Sequence, residues 1–96
     1  MTKYEVMFIV KSTLDEQSLN KEVKAIQSIV TSKKGEIIDF KDMGRKKFAY
    51  PINKEISGFY YLINLEATKE AIEELDRKLR INENIIRHLI LNKERE

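Results

Sequence analysis

Apolar residues recur along this chain with two different periods, and the order of the periods defines its elements. From Lys3 to Val10, Tyr4, Val6, Phe8 and Val10 alternate with Glu5, Met7 and Ile9. This is the period of a strand whose second side is unusually apolar beyond Glu5. Ser12 and Thr13 then offer capping hydroxyls, with Glu16 completing a capping box after Thr13. A helix is predicted from there, because Leu19, Val23, Ile26 and Val30 return at helical spacing until Lys33, Lys34 and Gly35. Glu36 to Gly44 is extended, and Pro51 limits its own surroundings to an edge strand or an irregular connection. Gly58 to Glu66 is rich in aromatic and β-branched residues, with Tyr61, Ile63 and Leu65 on one side and Tyr60, Leu62 and Asn64 on the other. Thr68 caps a second helix striped by Ala71, Ile72, Leu75 and Leu79. Its acids fall early and Arg77, Lys78 and Arg80 late, as the helix dipole favours. Ile85 to Leu91 is the last strand, and residues 92–96 form a short charged tail.

The order β-α-β-β-α-β predicts an α+β, ferredoxin-like single domain over residues 1–96: a four-stranded antiparallel sheet in the order 4-1-3-2 with both helices on one face. Strands one and three are expected to run parallel in its middle, so that the N-terminus, the basic connection and the C-terminal tail converge at one edge. Lys3, Arg45, Lys46, Lys47, Lys54, Lys93 and Arg95 would then form one basic cluster. The helix-free face would carry Met7, Ile9, Tyr60 and Leu62, an apolar patch of the kind that marks a protein interface unless Lys11 and Arg87 lie across it.

Composition narrows the chemistry. Ninety-six residues suffice for one core, and the net charge is only +2, so any polyanion site must come from the distribution of charge. Asp42 to Asn53 supplies one: Gly44, Arg45, Lys46 and Lys47 precede Phe48-Ala49-Tyr50-Pro51-Ile52, with no acid from Met43 to Lys54. Gly44 is the place where an incoming strand can bend and present its cations. The partner these residues fit is a folded RNA, bound through its phosphates without reading sequence. No cysteine is present, no apolar run approaches a membrane span, and the N-terminus lacks a secretory signal, which together lead us to expect a cytoplasmic protein.

Enzymatic activity, cofactors, metals and small-molecule substrates are not expected. Lys11-Ser12-Thr13-Leu14 has no glycine with which to cradle a phosphate, and His88 is the only histidine, without an evident catalytic partner. An alternative binding mode is that of RNA-recognition motifs, since Gly58-Phe59-Tyr60-Tyr61 echoes their ring-bearing third strand. Ser57 replaces the expected cation there, and Tyr61 falls on the core side.

The basic stretch from Gly44 through Ala49-Tyr50-Pro51-Ile52, the segment Arg80-Ile81-Asn82-Glu83-Asn84-Ile85-Ile86-Arg87 and the opening Tyr4-Glu5-Val6 resemble the small-subunit ribosomal protein six family of bacteria, with matching lengths between the motifs. Phe48 stands where that family usually has leucine, and the chain ends at Glu96, short of the longer tails of many members. The resemblance implies a structural component of the small ribosomal subunit. It would bind the central domain of the small-subunit rRNA together with small-subunit ribosomal protein eighteen, with Arg87 at that protein contact.

Overall fold

Six elements follow the expected order: β1 (Thr2–Lys11), α1 (Glu16–Ser32), β2 (Glu36–Ile52), β3 (Glu55–Ala67), α2 (Lys69–Ile81) and β4 (Ile85–Asn92). They are seen in a computed structural model that describes residues 1–52 and 55–94, so Lys54 and Arg95 of the expected basic cluster lie outside the described residues. The sheet order β2-β3-β1-β4 is 4-1-3-2 read from the other edge, and each neighbouring pair is antiparallel.

Alternation decides what is inside. Tyr4, Val6, Phe8 and Val10 of β1 and Tyr61, Ile63 and Leu65 of β3 are buried against Ile26 and Val30 of α1 and Ala71, Ile72, Leu75 and Leu79 of α2. Across the strands, Tyr61 stacks on Phe8 at 5.3 Å and on Phe40 at 5.6 Å between ring centroids. Burial, with the Asp42 carboxylate nearby as a smaller cause, raises the Tyr61 hydroxyl above its ordinary pKa. β2 is longer than its apolar pattern announces, reaching Ile52, and Pro51 is accommodated because β2 is an edge strand.

The helix ends depart from the expected chemistry in two places. α2 begins as expected, with the Ala71 amide donating to the Thr68 hydroxyl at 3.2 Å. α1 does not use the Thr13 capping box. Asp15 is its N-cap, accepting from the Ser18 amide at 2.8 Å, and the Ser12 hydroxyl is instead engaged 2.8 Å from Ser57 Oγ. A carboxylate cap adds a charge at the positive end of the helix, which the hydroxyl of Thr13 cannot. At the other end the left-handed residue is Lys34, with φ +64, rather than the glycine after it. Gly35 serves clearance: a Cβ there would lie 2.8 Å from Val30 Cγ1 and 3.2 Å from the Glu66 carbonyl oxygen.

The hydrogen bond from the Ser18 backbone amide, followed by the Ser18 side chain, holds the Asp15 carboxyl below its ordinary pKa. Its contribution to α1 is therefore complete above the ordinary carboxylate range and is lost as pH falls through the depressed folded value. Asp15→Asn keeps a capping oxygen but not the charge, so wild type should have the higher urea midpoint at neutral pH and lose that advantage on acidification. A gap that stays constant with pH would contradict the charged cap. Thr68→Ala should cost about 1 kcal/mol at all pH values in the same titration.

Candidate nucleic-acid and protein interfaces

The expected convergence of basic residues does not occur, because β1 and β3 are antiparallel and it is β1 and β2 that run the same way. Lys3 pairs with Glu66 and Lys46 with Gly58, which puts them eight positions apart along β3. At the usual rise of a strand that is about 26 Å. Lys93 joins Lys3 at its end of the sheet, where its amide donates to the Lys3 carbonyl at 2.9 Å. That end is mixed in charge: Lys93 Nζ lies 3.3 Å from Glu5 Oε2 and donates to Asn64 Oδ1 at 3.0 Å, while Glu36 and Glu66 pair beside Lys3.

The opposite end is basic. Gly44 occupies φ +80 where the β2–β3 register shifts, its amide accepted by Asp42 Oδ1 at 2.9 Å, so the strand bends there as its sequence implies. Beyond the bend, alternation sends the three consecutive cations to different faces. Arg45 and Lys47 pair with Phe59 and Ser57 on the helix side. There Arg45 Nε donates to the buried Ser57 hydroxyl at 3.4 Å, and both cations flank a shallow concavity with Ile56. Lys46 pairs with Gly58 on the open side, in one row with Lys11, which pairs with Gly58 from β1. In the next row Ile9 lies between Tyr60 and Arg87. Lys11, Lys46 and Arg87 thus rim the open face at the end where the basic hairpin arm emerges. Lys11 was invisible as part of this group in the sequence, since only the register brings it beside Lys46.

The open face itself is apolar but unevenly available. Ile9 is already buried at 5% exposure, whereas Met7, Tyr60 and Leu62 are half-buried. Register places Met7 between Leu62 and Leu89, and Glu5 beside Leu91, so two further leucines extend the patch, 49% and 48% exposed. Sequence reasoning passed over them because β4 reads inside out: the polar His88 faces the helices and the leucines face away. His88 can turn inward because Asp76 of α2 waits there, with Oδ1 2.7 Å from His88 Nε2 and Oδ2 accepting from Arg80 at 2.6 Å. Arg87 is exposed, and no acid among the described residues pairs with it.

Tyr60 is the ring that β3 presents on the open face, and two side chains already lie against it. Phe48 packs on it at 6.2 Å and 60°, and Lys46 Nζ lies 5.4 Å from the ring centroid. Phe48 reaches this position over Gly58, where a Cβ would lie 2.5 Å from Ile9 Cγ2 and 3.1 Å from Phe48 Cζ. Among the described residues there is no cluster of three acid, histidine or cysteine side chains able to hold a metal, and no helix is long and apolar enough to cross a membrane.

The chain matches the family model of Ribosomal protein S6 over residues 3–92. The small ribosomal subunit protein bS6 of Clostridium acetobutylicum is 40% identical over 95 residues, covering 99% of this chain and all of that protein. The crystal structure of 30S ribosomal protein S6 from Thermotoga maritima superposes with a TM-score of 0.91 at 30% identity, over 97% of this chain and 88% of that one.

The Gly58 contact yields a direct test of how the open face is built. Gly58→Ala should destabilise the domain by about 1 to 3 kcal/mol, because Ile9, Phe48 and the Val10 carbonyl all crowd the new methyl. Phe48→Leu in the same background should recover part of the loss in urea unfolding; no recovery would mean that Phe48 does not close over this position.

Proposed function

Since the chain belongs to the ribosomal protein S6 family, and so to the small ribosomal subunit, we propose that it binds the central domain of the small-subunit rRNA jointly with small-subunit ribosomal protein eighteen. The family is a structural one, not an enzyme family, and its place is the ribosome in the cytoplasm. The carrying observation is the meeting of a partly exposed apolar sheet face with a rim of cations at one end of the sheet.

RNA phosphates accept charge-assisted hydrogen bonds from Arg45, Lys46 and Lys47, with Arg45 able to fork onto one phosphate and the lysines acting as point charges. Lys3 and Lys93 make a second contact at the far end, weakened by the acids around them. Protein eighteen covers Met7, Tyr60 and Leu62 and the adjoining leucines, and Arg87 at the rim offers its guanidinium to that partner. Ile9 contributes from beneath, as the floor that the partner's side chains meet. Joint binding follows from this division, because one protein then presents a single continuous surface with its partner to the folded RNA. The protein acts as a scaffold, without a catalytic step, cofactor, metal or small-molecule substrate.

Titrating a central-domain rRNA fragment across a salt series, with and without protein eighteen, tests this reading. Tight binding only with both proteins is expected. Arg45→Ala with Lys46→Ala should reduce the log-log salt slope by roughly 0.7 to 0.9 for each phosphate no longer neutralised. Lys93→Ala should change the slope less, since Glu5 already shares its charge. An unaltered slope in the double variant removes the hairpin arm from the RNA interface. Leu62→Asp should leave the domain folded and abolish binding of protein eighteen in calorimetry, and retained affinity would count against the open-face interface.

A further inference from the structure

The hairpin arm carries a ring for which the fold has no internal use. Tyr50 is 81% exposed, the most exposed large apolar side chain among the described residues. It engages in no ring contact, cation contact or hydrogen bond among the described residues. Neighbouring positions explain what surrounds it. Phe48 turns onto Tyr60, and Lys47, Ala49 and Pro51 stay at the surface around Tyr50. Between the arm and the open face lies a cleft of about 400 Å³, to whose lining Lys47, Phe48, Tyr50, Tyr60 and Arg87 contribute. Ala49 and Pro51 complete its lining, so it combines aromatic, aliphatic and cationic residues.

A tyrosine ring 81% exposed on the arm gains little for folding, so its value lies in what it meets. An apolar protein segment would be met by the leucines further along the sheet. The arm differs from that patch in its charge: Arg45, Lys46 and Lys47 precede the ring, and there is no acid from Met43 through Ile52. A flat π-face flanked by cations suits a nucleotide, whose base stacks while its phosphate is neutralised. Tyr60 is less available for this part, being half-buried with Phe48 and Lys46 against it.

We propose that Tyr50 is a stacking platform for one unpaired base of the bound RNA, with the cations that precede it in the hairpin arm neutralising the adjoining phosphates. This rests on the RNA-binding role proposed above and adds to it a contact that does not depend on charge. A duplex alone does not satisfy it, so the RNA must present a bulged or splayed nucleotide to the hairpin arm.

The test compares Tyr50→Phe and Tyr50→Leu with wild type, using the central-domain rRNA fragment and protein eighteen across the same salt series. Tyr50→Leu should weaken RNA binding by about 5- to 150-fold at every salt concentration, leaving the slope unchanged, whereas Tyr50→Phe should stay within about twofold. Calorimetric binding of protein eighteen without RNA should be the same for all three proteins. Wild-type RNA affinity in Tyr50→Leu overturns the proposal, as does an equal loss in Tyr50→Phe, which would indicate a hydroxyl contact. So does weakened calorimetric binding of protein eighteen to Tyr50→Leu without RNA, which would make Tyr50 a protein contact. These failures are distinct from failure of the RNA role itself, in which Arg45→Ala with Lys46→Ala also leaves the salt slope untouched.

Discussion

The antiparallel pairing of β1 with β3 is the constraint on which everything else depends. Ten consecutive residue pairs, from Thr2 with Ala67 to Lys11 with Gly58, fix the two central strands against each other. Because side chains alternate, that register commits Val6, Phe8, Tyr61 and Ile63 together to the helix side and Met7, Ile9, Tyr60 and Leu62 together to the other. A slip of one residue would exchange the two sets and bring Glu5 and Asn64 towards the core. The direction of pairing matters as much as the register. It separates the mixed-charge end at Lys3 and Lys93 from the basic end at Lys46, making two chemically different ends from a nearly neutral chain.

The same alternation divides labour within the basic stretch. Three consecutive cations look like one feature in the sequence, yet consecutive strand residues cannot share a face. Arg45 and Lys47 therefore belong with Ser57 on one side of the sheet, and Lys46 joins Lys11 and Arg87 on the other. The bend at Gly44 sets where this division begins, and the absence of a side chain at Gly58 lets Phe48 fold back and seal Ile9. Outside the seal remain half-exposed leucines and a rim of charge.

Most of the fold was legible because it follows from local periodicity and caps. The alternation at Tyr4–Val10 and Tyr61–Leu65, the stripe Ala71, Ile72, Leu75 and Leu79, and the Thr68 cap all appear where their chemistry placed them. Strand direction was contained in the antiparallel order 4-1-3-2, in which the neighbours β1 and β3 oppose each other, and taking them as parallel merged two distant groups of cations into one. Other misses share a physical cause, in that a distant partner overrides a local preference. Ser12 is drawn to Ser57 and leaves capping to Asp15, and His88 turns inward because Asp76 is there to meet it. Leu89 and Leu91 turn outward as the consequence, so the best-exposed part of the apolar face was the part that sequence pattern assigned least clearly.

Those outward leucines have a consequence for the protein before assembly. β4 is an edge strand, and it carries Leu89 and Leu91 on the surface that faces away from the helices. An edge with an apolar face is a template for another chain's strand. Copies made in excess of their binding sites would meet one another through it, and concentration alone would turn a useful surface into an adhesive one. Protection comes only in part from the chain itself, through the charge of Arg87 on the same strand. Pairing between copies at this edge therefore rises with concentration for as long as the face stays uncovered.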